Sequence, residues 1–428
     1  MKVLVSAYAC EPGRGSEPGI GWNWARQIAR FHEAWVITRA NNARVIYREL
    51  ERQPMPSVHW VFFDLPRAAR FWKKGPRGAR LYYYLWQASA LAAASRLAGK
   101  VGFDLGHHVT FGQYARPSLL AFLKLPFVWG PLGGAEAAPS ALVSLGGLRA
   151  QAFEAARRVS RSLGERDPLV RASVRRAAVC LASTEETAVR LRALGARRVE
   201  VHSCCGLPPE DIEVLGRAPY RREAPFRAMS VGRLEHWKGF HLGLQAFARI
   251  QARVSESEYW LFGEGPERRS LERMAQRLGL GGKVRFLGNR PRPEVLGALS
   301  NCDTLIHPSL HDSGGWACTE AMAAGRPVIC LDLGGPALQV TAETGIKVPA
   351  DNPDAIVAGL ADAMLRVAVD LEARRLMGES GRARVNACFA WERKGEFLNR
   401  LYEQIVGQPV PDRLRNEKSS ELFMQAVR

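Results

Sequence analysis

The chain has 428 residues, 47% of them hydrophobic and 24% charged. That is enough to fill two ordinary cores and too apolar for a disordered chain. The formal net charge is +18 at pH 7, and no internal repeat, low-complexity block or uncharged apolar run of about 18 residues interrupts the pattern, which argues against a solenoid or a spanning helix.

The eight cysteines are scattered without a Cys-x-x-Cys pair, and the adjacent Cys204-Cys205 reads as two thiols at a strand end. The opening Met1-Lys-Val-Leu-Val-Ser begins directly with a strand and has no apolar signal core. The expectation is a cytoplasmic protein with at most peripheral membrane contact. Charge is uneven: residues 1–205 carry 30 Lys/Arg against 14 Asp/Glu, and residues 206–428 carry 30 against 28. A basic first half is expected to face something anionic, the alternative being an arginine-rich solvated surface.

Lys2–Ala7 reads as a strand. It runs into Tyr8-Ala-Cys-Glu-Pro-Gly-Arg-Gly-Ser-Glu-Pro-Gly-Ile-Gly21, a loop rich in glycine and proline, and then into helical spacing over Trp22–Phe31. Strand, glycine loop and helix open many doubly wound α/β domains, whose ligands sit at the carboxyl ends of the strands. The loop is not Gly-x-Gly-x-x-Gly, so a nicotinamide cofactor has little support. Ala34–Thr38 and Val58–Phe63 read as further strands.

Between Arg67 and Tyr84, cations alternate with Phe71, Trp72 and Tyr82–Tyr84. Such a mixture suits an anionic membrane surface or single-stranded nucleic acid; equally, the rings are core and the cations solvated. Phe103–Gly112 ends a strand on His107 and His108, which face opposite sides. Phe127–Gly134 is a strand entering a glycine turn. Arg149–Arg176 is a basic helical region, Ala178–Ser183 and Val199–Val201 are strands, and the Cys-Cys-Gly-Leu-Pro-Pro turn reads as a linker.

In the second half, Phe226–Val231 is a strand ending in Gly232-Arg-Leu-Glu-His-Trp-Lys-Gly239, followed by a helix over Phe240–Ile250. Arg233 offers a planar fork for phosphate oxygens and Lys238 a point charge. Tyr259–Phe262 leads into the turn at Gly263, and Val284–Gly288 is the next strand. Thr304–His307, a Ser313-Gly314-Gly315 loop, a helix ending near Gly325 and the strand Pro327–Leu331 complete a βαβ unit. A glycine loop feeding a helix N-terminus suits a diphosphate, and Asp312 and Glu320, eight residues apart, can accept hydrogen bonds from sugar hydroxyls. Closing helices follow at Asp354–Met364, Leu371–Val385 and Trp391–Val406.

Asp312-x7-Glu320 with Ala-Met-Ala-Ala-Gly-Arg-Pro-Val, together with Gly-Arg-x-x-x-x-Lys-Gly at 232–239, resembles the signature of the group 1 retaining glycosyltransferases. The usual first acid is glutamate, so the shorter Asp312 leaves its contact with the donor sugar open. The resemblance implies a GT-B fold: two Rossmann-like doubly wound domains facing across a cleft, at 1–205 and 206–388. A helix at 389–407 would return to the first domain, ahead of a polar tail at 408–428.

The same resemblance implies a nucleoside-diphosphate sugar donor, UDP- or GDP-linked, and transfer with retention to a hydroxyl acceptor. The charge asymmetry and the Arg67–Tyr84 mixture, rather than the resemblance, lead to the expectation of a lipid-linked or membrane-proximal glycan acceptor in cell-surface synthesis, with no nucleic-acid partner. The resemblance carries roles in the transfer onto Arg233, Lys238, Asp312, Glu320 and one of His107 and His108. It carries donor binding onto Gly15, Gly19, Gly232, Gly263, Gly288, Asn289, Ser313, Gly314 and Gly315. With no Asp-x-Asp motif, no metal or other cofactor is expected. The readings left open are a soluble small-molecule acceptor, a GT-B phosphorylase lacking an evident pyridoxal-phosphate lysine, and a catalytically silent nucleotide-sugar binder. Oligomeric state is not legible.

Overall fold

A computed structural model of the chain describes residues 1–66, 78–143, 147–220 and 225–407. It contains two parallel sheets. The first has seven strands: β1 (Lys2–Ser6), β2 (Glu33–Arg39), β3 (Val58–Phe63), β4 (Leu105–His108), β5 (Phe127–Leu132), β6 (Val179–Ala182) and β7 (Val199–Val201), in the order β3-β2-β1-β4-β5-β6-β7. The second has six: β8 (Phe226–Val231), β9 (Ser257–Phe262), β10 (Val284–Gly288), β11 (Thr304–His307), β12 (Val328–Leu331) and β13 (Gly345–Val348), in the order β10-β9-β8-β11-β12-β13. Both orders reverse direction once, between β1 and β4 and between β8 and β11. That is the switch point at which doubly wound sheets open a crevice beyond the strand ends. Every residue of β4, β11 and β12 is buried, because helices cover both faces of a parallel sheet.

The chain divides into two compact units, each assembled from separated segments. The first comprises Met1–Ala135, Val159–Cys204 and the segment beginning at Trp391; the second comprises Glu136–Arg158 and Cys205–Ala390. Glu136–Arg158, which lies in the first half of the sequence, thus belongs with the second unit. The Cys204/Cys205 turn marks one of the crossings.

In the first unit, Leu4, Tyr82, Tyr83, Trp86, Phe127 and Trp129 form the middle of the core. Tyr82 and Tyr83 are 2% and 1% exposed, so of the two readings left open for Tyr82–Tyr84 the core one holds for these two rings. They lie on the helix Ala79–Val101, whose turn-by-turn spacing turns both inward. Arg67–Arg77, the cationic part of that stretch, lies outside the described residues.

The first helix runs from Ser16 to Ile28, six residues earlier than its spacing predicts. Pro18 is tolerated in the first turn, and Gly19 is demanded by a close approach, since a Cβ there would press into the Arg14 carbonyl. The helix Trp391–Val406 packs on it: Trp24 meets Trp391 edge to face at 5.4 Å, and Arg30 Nη1 donates to the Glu392 carbonyl at 3.1 Å. From the same helix, buried Lys394 donates to the Ser203 carbonyl at 2.6 Å and lies 3.2 Å from His202 Nε2.

In the second unit, Phe240, Leu244, Phe247, Tyr259, Ile306 and Ile329 fill one side of the sheet. Met229, Leu305, Cys318, Met322 and Val328 fill the other. Asn352 caps the helix Pro353–Val369 by accepting from the Ala355 N–H at 2.9 Å, the arrangement that satisfies an otherwise unpaired amide. Among the described residues no helix is long and apolar enough to cross a membrane.

Candidate functional site

The carboxyl ends of β8, β9, β10 and β11 converge in the second unit, and the second-half candidates gather there. Gly232, Gly263 and Gly288 lie side by side: the Gly232 amide donates to the Phe262 carbonyl at 3.0 Å, and the Gly263 amide to the Gly288 carbonyl at 2.9 Å. Asn289 follows them and is exposed. Past β8, a short turn at His236–Lys238 raises Lys238 to the end of β11. Its Nζ lies 2.5 Å from Asp312 Oδ2. His307, the last residue of β11 and 5% exposed, places Nε2 3.3 Å from the same oxygen.

Asp312 thus sits between two nitrogen partners. Burial pushes its carboxyl up, but Lys238 and His307 outweigh that and hold it well below the ordinary carboxylate range. Burial pushes the His307 imidazole down, while its contact with Asp312 pulls it up. The second Asp312 oxygen, Oδ1, accepts from the Gly314 amide at 3.3 Å.

The loop 313–315 then enters the helix Trp316–Ala323. Gly315 has φ +104, a region that a side chain resists, and this turn aims the start of the helix at the loop. Eight residues beyond Asp312, Glu320 accepts from Arg292 Nη2 at 2.6 Å, and Arg292 Nη1 pairs with Asp211 at 2.9 Å. Glu320 is nearly buried. Burial, with the Asp211 charge, raises its carboxyl to about 7 against the downward pull of Arg292.

Arg233 is not brought to Asp312. Its side chain is largely exposed, 3.4 Å from Glu235, with Cζ 5.6 Å from the centre of the Trp237 ring. Trp237 stacks on Phe153 at 4.9 Å and on His311 at 5.7 Å.

The remaining candidates belong to the first unit. Gly15 precedes the helix Ser16–Ile28 with open space around it, and Gly19 sits in its first turn. His107 and His108 point to opposite faces of β4 and both are buried. His107 lies 2.5 Å from the Tyr402 hydroxyl and 2.7 Å from the Gly130 carbonyl oxygen. His108 lies 3.1 Å from the Tyr83 hydroxyl and 2.8 Å from Ser118 Oγ and the Thr110 carbonyl. Burial lowers them to about 3 and about 4. Both are neutral members of core hydrogen-bond networks.

Sequence reading missed the segment Glu136–Arg158. Glu136 Oε2 accepts from Ser313 Oγ at 2.7 Å. Glu154 Oε1 lies 2.8 Å from His311 Nε2, and Arg157 stands 3.9 Å from Glu136 and 3.8 Å from Glu154. Nothing in the order of the chain links residues some 160–180 positions apart; the one signal was a pair of glutamates within otherwise basic or apolar surroundings. Arg292 and Asp211 were missed for the same reason.

Residues 216–384 match the model of the glycosyl transferases group 1. Over this segment, less than half of its length, the chain is similar to the group 1 glycosyl transferases. Among characterised relatives, a D-inositol 3-phosphate glycosyltransferase of Corynebacterium jeikeium (strain K411) is 32% identical over 198 residues, covering 43% of this chain and 46% of the relative. The alignment therefore spans less than half of that relative's length. Over the whole chain the fold is GT-B. Sucrose-phosphate synthase from Thermosynechococcus elongatus superposes with a TM-score of 0.64 at 21% identity, over 95% of this chain and 99% of that one. Anabaena HepE in complex with UDP superposes at 0.61 and 18% identity, over 94% of this chain and 100% of that one.

The matched segment holds Arg233, Lys238, Asp312 and Glu320 but not Glu136 or Glu154, which lie outside it.

Proposed function

We propose that the chain transfers a sugar from a nucleoside-diphosphate sugar to a hydroxyl acceptor with retention of anomeric configuration. The observation that carries this reading is the Lys238–Asp312 pair, set at a glycine loop that feeds a helix N-terminus, with the Glu320–Arg292 pair one helical stretch beyond. Lys238 and the loop amides suit a diphosphate, and the exposed Arg233 is the second cation assigned to it. Glu320 suits ribose hydroxyls. The anomeric carbon–phosphate oxygen bond breaks as the acceptor oxygen bonds to the same face, and the acceptor proton passes to the departing phosphate oxygen. Lys238 and Arg233 offset the charge growing on that leaving group, and no metal is assigned a part. A UDP complex of a structural neighbour supports a uridine or similarly linked donor.

For the acceptor we favour a lipid-linked or membrane-proximal glycan, reached by peripheral binding to the cytoplasmic face. The support is the basic first half and the solvent-facing Leu148, Val159 and Leu163 on the arginine-bearing helix Gly147–Arg166. An inositol phosphate glycosyltransferase among the relatives favours a second reading, a small soluble acceptor.

The test is incubation with a panel of UDP- and GDP-sugars, reading nucleoside diphosphate release and the anomeric configuration of the product. Consumption of one donor with retention is expected. If no nucleotide sugar is bound or consumed, the reading is overturned.

A further inference from the structure

Glu136 is 2% exposed and carries its carboxylate to the glycine loop. Two loops meet there. The Gly335 amide donates to the Asp312 carbonyl at 2.7 Å, and a Cβ on Gly335 would press into the Ser313 and Gly314 carbonyls. A Cβ on Gly334 would lie 3.2 Å from Glu136 Cγ. Both positions are kept bare of side chains, and Glu136 is packed against that bare backbone with Ser313 Oγ donating to it at 2.7 Å.

This is an odd place for a second negative charge. The same loop is read above as a diphosphate site, and an ionised carboxylate beside a phosphate repels it. Arg157, 3.9 Å away, offsets part of that cost. A carboxylate accepts hydrogen bonds and donates none, so its fitting partner is a neutral group with O–H donors. Asp312, the acid expected to play that part, has Oδ2 between Lys238 and His307 and Oδ1 on the Gly314 amide. Its arm is one carbon shorter than a glutamate's, and it ends on the cation.

We propose that Glu136 contacts the donated sugar, accepting hydrogen bonds from its ring hydroxyls at the 313–315 and 334–335 loops and so setting which sugar is accepted. This rests on the donor reading above. It divides between two acids the work that one would otherwise do: Asp312 positions Lys238 for the diphosphate, and Glu136 reads the sugar.

The experiment measures binding of UDP and UDP-glucose, and of GDP and GDP-mannose, to wild type, Glu136→Gln and Glu136→Asp. The readout is the ratio of the Kd values for nucleotide and sugar nucleotide within each protein, which cancels any loss of folded material. It is repeated with donors lacking one sugar hydroxyl. The expected result is unchanged nucleotide affinity within about twofold and a ratio lowered about tenfold in both variants. One deoxy donor should bind wild type about tenfold more weakly than its parent and Glu136→Gln no more than about twofold more weakly. A ratio equal in all three proteins, a ratio near one in wild type, or equal losses for every deoxy donor in wild type and variant overturns the proposal while leaving the donor reading intact. If wild type binds none of the four nucleotides, the donor reading fails and takes this assignment with it.

Discussion

Lys238 Nζ stands 2.5 Å from Asp312 Oδ2, bridging β8 and β11 across the switch point of the second sheet. The two residues are 74 positions apart, and the parallel pairing of their strands is what makes them neighbours. Replacing Lys238 with Ala should lower turnover about 10²-fold or more, the usual effect of removing a preorganised charge partner. Arg233→Ala should do the same by removing the second cation available to the leaving diphosphate. Transfer rates near wild type in both variants, with circular dichroism confirming the fold, would refute the assignment.

A second expectation concerns pH. Burial raises the Glu320 carboxyl from the ordinary 4.5 to about 7, so folding favours its neutral form. The stability this supplies is complete below about pH 4.5 and is lost as pH rises towards 7. Relative to Glu320→Gln, wild type should therefore lose stability across that window, by ~3 kcal/mol at most. Asp312 acts with the opposite sign: its contribution is present above its ordinary value of 3.8 and is lost only in stronger acid. Denaturant titrations of both proteins between pH 4 and 8 decide it, and parallel curves would show that Glu320 does not titrate differently in the fold.

Transfer should persist in a chelator. Lys238, Arg233 and the loop amides can carry the electrostatic load that a divalent ion bears elsewhere. Activity lost in EDTA and restored by Mn²⁺ or Mg²⁺ would contradict this.

Binding to anionic vesicles at low salt, released as ionic strength rises, is expected of the basic first half. Each basic residue near such a surface contributes roughly 1 kcal/mol, and salt screens that attraction. Co-sedimentation of wild type and of a variant with Arg70, Lys73, Lys74 and Arg77 changed to Ser is the measurement. Equal binding by the two proteins, or none by wild type, would point to a soluble acceptor.

Trp391 is 1% exposed and packed on Trp24. Trp391→Ala should cost about 3–5 kcal/mol, as large core truncations do. A loss below about 1 kcal/mol in equilibrium unfolding would mean that the closing helix is not part of the first core.

Strands such as β1, β8 and β11 were plain in the sequence because a parallel strand buried on both faces is a continuous apolar run bounded by turn residues. The helix Ala79–Val101 was not, since its tyrosines and tryptophan look alike whether they face lipid or core; only packing chose the core. Gly19 hid the first helical turn for a related reason, a glycine needed by a close approach reading as a loop residue. At the site, Lys238 and Asp312 were legible because each follows closely on a strand end, and Glu320 because it stands eight residues beyond Asp312 in the helix that the glycine loop feeds. Glu136, Glu154 and Arg292 were not, because their place depends on contacts between distant segments. The paired histidines had the right position on β4, yet hydrogen bonds to Tyr402 and Tyr83 hold both in the core.

Both units borrow residues from beyond the other in the order of the chain. The seven-stranded sheet is complete at Val201, yet Trp391, Lys394 and Tyr402, which seal it, are translated roughly 190 residues after Cys204. At roughly 5–20 residues per second, that interval is on the order of 10–40 s. During synthesis the nascent first unit therefore waits that long with the Trp24 side of its opening helix uncovered. The second unit, whose early segment Glu136–Arg158 is already waiting, can close first.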